Sequence, residues 1–273
     1  MTLLGSGNAG VCGACYVSHR GFGTQATRFP PDFALFPNIF TVDEQCLLLK
    51  ASLKKLDTME SGKFRRRRRQ FLQNHNPGPS VDPVQALFLP DDFYDFQEGH
   101  FDGVIRRYRE MHVTAWPDDM PEIIPLIERL RKLHPNGEIQ THILHLASDG
   151  IILPHVDNVE ASGTWIMGVS LGDERILRLE RSNLPEERYE IPLSSGSVYI
   201  QKDAVRYDYK HSILQSGDGT HPPSEGRQRL SIMIRTVLVS VSGPLHIAHA
   251  VRGYYSTVVL RVLYMAFSND AAQ

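Results

Sequence analysis

Downstream of Glu138 the chain breaks into short apolar runs: Ile139 to Leu146, Trp165 to Leu171, Ile176 to Leu179, Val198 to Ile200 and Leu230 to Leu238. Turn-forming clusters separate them, namely Asp149-Gly150, Gly172-Asp173, Ser194-Ser195-Gly196 and Ser216-Gly217-Asp218-Gly219. Short strands with turn residues at roughly ten-residue spacing imply a β-sandwich or jelly roll. The expected class is therefore mainly β with flanking helices (α+β), the helices packed against one face.

Those helices precede the strands. Thr41 stands before an acidic first turn, Asp43 and Glu44, and then the apolar Cys46, Leu47, Leu48 and Leu49, which spells a capped helix to about Leu56. Ile123, Leu126, Ile127 and Leu130 form one stripe of a second helix over 123–133, ended by His134-Pro135-Asn136-Gly137. Between the two helices, Asn74 to Pro90 carries four Pro and a Gly and reads as a surface loop. With 273 residues, 41% of them hydrophobic, the chain can bury the core of one sizeable domain. That domain is expected over 36–236, with 237–273 an extension of unassigned role.

Charge and cysteine content narrow the partners. A net charge of −2 gives no global case for polyanion binding, although Lys63 to Arg69 is a local basic exception. Cys12, Cys15 and Cys46 are too few for a disulfide-built domain, and Cys12-x-x-Cys15 has no second pair, so a reducing compartment is expected. The apolar stretch Tyr254 to Phe267 is interrupted by Arg261 and falls short of the ~20 residues of a spanning helix, so no membrane span is expected. Residues 1–31 contain no acidic residue, are glycine-rich and carry Arg20 and Arg28, with Arg20-Gly21-Phe22 like a matrix-processing site. They have the features of a mitochondrial transit peptide, the alternative being the loose start of a cytoplasmic protein.

Three residues carry the chemistry. Leu153-Pro154-His155-Val156-Asp157 closes a strand, and alternation points His155 and Asp157 the same way. Two imidazoles and one carboxylate on one octahedral face hold Fe(II) in non-haem oxygenases and leave three positions for co-substrate and O2. The second imidazole is His211, in the strand-like segment Tyr207 to Ile213, with an arginine-bearing strand starting at Arg229. A second pair, His100-x-Asp102, serves as an internal control, because it lies upstream of the strand-rich half and next to Arg106 to Arg109. His142 and His145 are read as satisfied structural groups. In Arg229 to Arg235 strict alternation puts Arg229, Ser231, Met233 and Arg235 on one face. Cations inside a β-sandwich are costly unless paired, and two guanidinium arms suit a short dicarboxylate. The competing account is an edge strand with solvated arginines.

Together, His155-x-Asp157, His211 and the R-x-S-x-x-x-R segment resemble the AlkB-like family of Fe(II)- and 2-oxoglutarate-dependent dioxygenases. Pro154 to Asp157, Gly196 to Ile200, Ala204 to Asp208 and the upstream arginine run are similar, in that order, to its mitochondrial branch, which is linked to programmed necrosis and fatty-acid metabolism. The resemblance implies a double-stranded β-helix, metal ligands His155, Asp157 and His211, and 2-oxoglutarate contacts from Tyr199, Arg229, Ser231 and Arg235. Two departures stand out. The family's Asn-x-Tyr is Leu144-His145-Leu146 here, so Tyr199 is expected to supply the phenol. Ser231 and Met233 replace the usual Asn and Thr, which weakens any transfer of nucleobase specificity.

The implied cofactor is Fe(II), with 2-oxoglutarate and O2 as co-substrates, in a monomer located in the mitochondrial matrix. The substrate is a macromolecule oxidised at a C–H or N-methyl group. The missing base-recognition residues and near-neutral charge speak for a protein. For RNA speak Lys63, Arg65 to Arg69 and Arg106 to Arg109 with Phe64, Phe71 and Tyr108 interleaved, which would make the chain an RNA N-demethylase. The alternative of another class is a catalytically silent jelly roll that binds a ligand or partner.

Overall fold

The computed structural model describes residues 29–74, 80–134, 137–160, 162–215 and 227–237. They open with strand β1 (Phe33–Phe36), helices α1 (Val42–Asp57) and α2 (Gly62–Asn74), a short β2 (Gln97–Gly99) and β3 (Ile105–Val113). Helix α3 (Ile124–Arg131) leads into β4 (Ile139–His155), β5 (Trp165–Gly172), β6 (Arg175–Arg181), β7 (Leu184–Leu193) and β8 (Val198–Lys202). A short helix α4 (Asp203–Asp208) then connects to β9 (Tyr209–Gln215) and β10 (Arg229–Thr236).

The architecture turns on β4, which belongs to two sheets. Its first half pairs with β10 from Ile139↔Thr236 to Leu146↔Arg229, and that sheet continues through β5, β8 and β1. Its last residues pair with β9, and the second sheet continues through β6 to β7. All of these pairings are antiparallel, and the result is the double-stranded β-helix expected from the sequence. Gly150 lies between the two halves of β4, where a Cβ would come within 2.6 Å of the Arg107 carbonyl. Only glycine fits so close a backbone approach.

Strand alternation sorts the core into two layers. Trp165, Met167, Val169 and Leu171 of β5, with Ile143, Leu230, Ile232 and Ile234, meet Leu48 and Leu49 of α1 and Leu126 and Leu130 of α3. Leu144, Leu146, Leu177, Leu179, Ile191, Leu193, Tyr199 and Ile213 fill the space between the sheets. That double coverage is why β5 is buried at every position. Helix α1 starts with a capping box, Glu44 N–H donating to Thr41 Oγ1 at 3.3 Å and Thr41 N–H to Glu44 Oε2 at 2.9 Å.

Several elements depart from the sequence reading. The run Arg65 to Arg69 forms α2, whose buried residue is Arg68, so it carries no apolar stripe for a periodicity argument to find. Arg106 to Glu110 lies inside β3, alongside β4. Tyr207 and Asp208 end α4 rather than starting a strand. The two-helix expectation thus becomes four among the described residues. The processing site at Arg20-Gly21-Phe22, the cysteines Cys12 and Cys15, the turn 216–219 and the apolar run 254–267 lie outside the described residues. No helix among the described residues is long and apolar enough to cross a membrane.

Charge inside this fold is balanced locally. Arg68 and Arg109 share Asp57 and Glu60, and Arg109 Nε donates to His145 Nδ1 at 2.9 Å. His145 Nε2 in turn faces Gln228 Oε1 at 2.9 Å, so its proton sits on Nε2. Burial, reinforced by the Arg109 charge, holds its pKa well below the ordinary 6.5. A depressed folded pKa means that the neutral ring's contribution is complete above about pH 6.5 and is lost as pH falls. We expect unfolding free energy to drop by up to ~1.4 kcal/mol per pH unit below that point from this group. Denaturant titrations from pH 7.5 to 5 should show a shallower slope in His145→Gln; an unchanged slope would refute the assignment.

Candidate metal centre and its basic floor

The site grows from one register pair. β4 and β9 place His155 opposite His211, and their ring centroids lie 4.2 Å apart. Asp157 follows two residues beyond the end of β4. The ligand atoms of His155, Asp157 and His211 all lie within 4.8 Å of one another, a group able to hold a metal ion. His155 Nδ1 lies 2.9 Å from the Leu153 carbonyl. A carbonyl can only accept, so Nδ1 carries a proton, and Nε2 is the ring atom turned toward Asp157 and the centre.

The electrostatics call for a cation. Asp157 Oδ1 lies 3.2 Å from His155 Nε2 and 3.6 Å from His211 Nε2. Its Oδ2 is buried without a hydrogen bond, although the Arg235 guanidinium comes within 3.2 Å. Burial works against the Asp157 carboxylate, but the His155 hydrogen bond and the Arg235 and imidazole charges outweigh it and hold its pKa far below the usual range. His155 is also penalised by burial, yet the hydrogen bond and charge of Asp157 raise it. His211 is driven by burial down to about 3. Two imidazole nitrogens and one oxygen of an ionised carboxylate converging on one point are the donor set of a divalent cation site.

Beside this centre, the inner face of β10 carries Arg229, Ser231, Met233 and Arg235 in order, as alternation requires. Arg229 is 1% exposed. Its Nε donates to Ser170 Oγ at 3.0 Å, one terminal nitrogen has no partner, and no carboxylate among the described residues forms an ion pair with it. Burial, with some offset from its neighbours, lowers its pKa to about 10. Tyr199 lies across the sheet, opposite Gly168, where a Cβ would stand 2.4 Å from the ring. Ser231 Oγ reaches the Leu144 carbonyl at 3.5 Å. The fold therefore leaves one desolvated guanidinium without a counter-charge, and a buried cation of this kind is costly unless an anion completes it.

The control pair behaves differently. His100 Nδ1 and Asp102 Oδ1 are 2.8 Å apart, with Glu110 next at 3.8 Å from the ring, and they belong to no three-residue ligand group among the described residues. His142 is taken up by Glu110 at 3.1 Å. Two of the three aromatics interleaved with the basic segments are engaged within the fold: Phe71 packs on Phe93 with centroids 4.5 Å apart, and Tyr108 is 2% exposed with its hydroxyl donating to Gln97. Sequence reasoning missed Gly168, Ser170 and Arg206 as neighbours of the site, since nothing in their local pattern signals which strands would meet.

Residues 32–235 match the 2OG-Fe(II) oxygenase superfamily, and the chain belongs to that superfamily, which uses Fe(II), 2-oxoglutarate and O2. Two relatives carry a more particular name. The Mus musculus protein called alpha-ketoglutarate-dependent dioxygenase alkB homolog 7, mitochondrial, is 32% identical over 147 residues, and its Bos taurus namesake is 30% identical over 147 residues. Each match covers 52% of this chain and 66% of the relative, just under two thirds of its length. Among solved structures, a Pseudomonas putida prolyl-4-hydroxylase superposes with a TM-score of 0.42 at 10% identity, covering 75% of this chain and 92% of that one. OsALKBH1 gives 0.44 at 15% identity, with 77% and 100% covered.

The contact between Gly168 and Tyr199 yields a stability test. Gly168→Ala should cost about 1–3 kcal/mol through overpacking against the ring. Tyr199→Leu in the same chain should recover most of that loss in a double-mutant cycle. Additive losses in denaturant unfolding would show that the two positions do not touch.

Proposed function

We propose that this chain is a non-haem iron dioxygenase that uses 2-oxoglutarate and O2 to oxidise a C–H or N-methyl group of a macromolecule. The observation that carries the proposal is the convergence of His155, Asp157 and His211 in the same β-helix as a buried Arg229 lacking a carboxylate partner. In this reading His155, Asp157 and His211 hold Fe(II). Arg229 and Tyr199 take the distal carboxylate of 2-oxoglutarate at the closed end. Ser231 lines its path, and Arg235 holds Asp157 from behind and meets the end of the co-substrate nearest the metal. When bound, the metal and co-substrate supply oxidation of a C–H bond coupled to conversion of 2-oxoglutarate into succinate and CO2.

For the substrate we favour a mitochondrial protein, in line with a role in regulated necrosis or fatty-acid metabolism. The packed Phe71, the buried Tyr108 and the neutralised Arg68 and Arg109 weigh against a base-stacking surface. RNA is the second reading, supported by the exposed Lys63, Arg65, Arg66 and Arg69 of α2. The relatives' mitochondrial names support placement in that organelle, and a reporter fused to residues 1–28 should be directed there. A diffuse signal would count against it.

His155→Ala, Asp157→Ala and His211→Ala should each abolish iron retention and succinate formation, whereas His100→Ala should keep both. Wild-type iron content in the His155 variant would sink the metal assignment, and a wild-type chain that binds iron but never forms succinate would favour a silent binding module. Arg229→Lys and Arg235→Lys should raise the KM for 2-oxoglutarate about ten- to hundredfold, as expected for losing a charge-assisted contact of about 1.5–3 kcal/mol. To separate the substrates, succinate release is followed with mitochondrial protein extract and, in parallel, with mitochondrial RNA. Stimulation by RNA alone, flattened in salt dependence by replacing Arg65, Arg66 and Arg69, would overturn the protein reading.

A further inference from the structure

Arg206 lies outside the ligand set, yet it bridges the two segments that carry the ligands. It sits on α4, five residues before His211, and is 2% exposed. One terminal nitrogen donates to the Asp157 carbonyl at 3.2 Å. The other donates to the Asn158 carbonyl at 3.3 Å and to Ser162 Oγ at 2.9 Å. Among the described residues no carboxylate forms an ion pair with it, so this buried cation is solvated by two carbonyls and a hydroxyl. Those acceptors already form a closed turn, because Ser162 N–H and Oγ–H both donate to the Asn158 carbonyl at 3.2 Å.

Resting on the iron-centre reading above, we infer that Arg206 is a positioning residue that sets the metal affinity of the Asp157–His211 pair. Fixing the Asp157 carbonyl fixes the peptide plane from which the ligand side chain departs. Anchoring it to the lead-in of β9 holds that departure relative to His211. The three acceptors are spread over a turn, and a planar guanidinium fork reaches all of them from one stem, which a single ammonium cannot do. Outer groups that orient ligands in this manner govern affinity by 10–100-fold in metal sites.

The test measures Mn(II) binding alone, by loss of its free-ion EPR signal, together with thermal unfolding of the metal-free protein. Arg175→Lys is the control, since Arg175 is equally buried at 1% exposure but contacts Asp173 and the Ser148 and Arg227 carbonyls, away from the ligand turn. Arg206→Lys should raise the Mn(II) Kd by about tenfold or more, while Arg175→Lys lowers Tm with Kd within about twofold of wild type. Ser162→Ala, which removes one acceptor and keeps the fold, should raise Kd several-fold and decides the matter if Arg206→Lys does not fold. An unchanged Kd in Arg206→Lys or Ser162→Ala, or an equal Kd loss in Arg175→Lys, overturns the inference and leaves the metal assignment standing. Absence of Mn(II) binding in the wild type overturns both.

Discussion

Everything at this site depends on β4 being shared between two sheets. Its first half is zipped to β10 and its last residues to β9, so one continuous strand fixes where the basic floor and the imidazole pair lie relative to each other. A shift of one residue in the β4–β9 pairing would turn His211 to the opposite face of its strand and separate it from His155. Tyr209 and Ile213 of β9, buried in one layer with Leu144, Leu146 and Ile152 of β4, penalise such a slip, so the ligand geometry is protected by the core rather than by local contacts.

The fold treats its buried cations in three ways. Arg68 and Arg109 are neutralised by Asp57 and Glu60 and act as structural ties between α1, α2 and β3. Arg206 is solvated by backbone carbonyls and a hydroxyl. Arg229 alone of these has a single protein acceptor and no carboxylate. Protein interiors rarely tolerate that arrangement without compensation, which is why the guanidinium reads as half of a complex whose other half is an anion. The ordering matters, since the four residues differ by their partners: Arg68 and Arg109 tie segments together, whereas Arg206 and Arg229 suit the positioning and anion-binding roles proposed for them.

The sequence made the His155-x-Asp157 pair and the arginine strand legible through short-range spacing, although β4 ends at His155 and Asp157 stands just beyond it. Alternation lines Arg229, Ser231, Met233 and Arg235 on one face, whereas His211 is legible only from chain order and the family resemblance. The capping box of α1 was legible through short-range spacing as well. Helix α2 was not, because five consecutive arginines mask any apolar stripe and the stabilising partner of Arg68 lies on a separate segment. β3 was hidden by its charges, whose partners lie on other segments: Asp57 and Glu60 for Arg109, Glu98 and Asp149 for Arg107, and His142 for Glu110. The places of Gly168 and Arg206 follow only from which strands meet, and such long-range pairing leaves no trace in local pattern.

The double role of β4 also bears on how the chain reaches its native state. Its partners β9 and β10 arrive last in the sequence, so neither half of β4 can be zipped on these edges until long loops have closed, and high contact order slows folding. The imidazole pair is completed by one of these late zippers. A metal ion therefore meets a finished pocket only after most of the barrel has collapsed, and its binding energy acts as a latch on the final closure rather than as a seed for it.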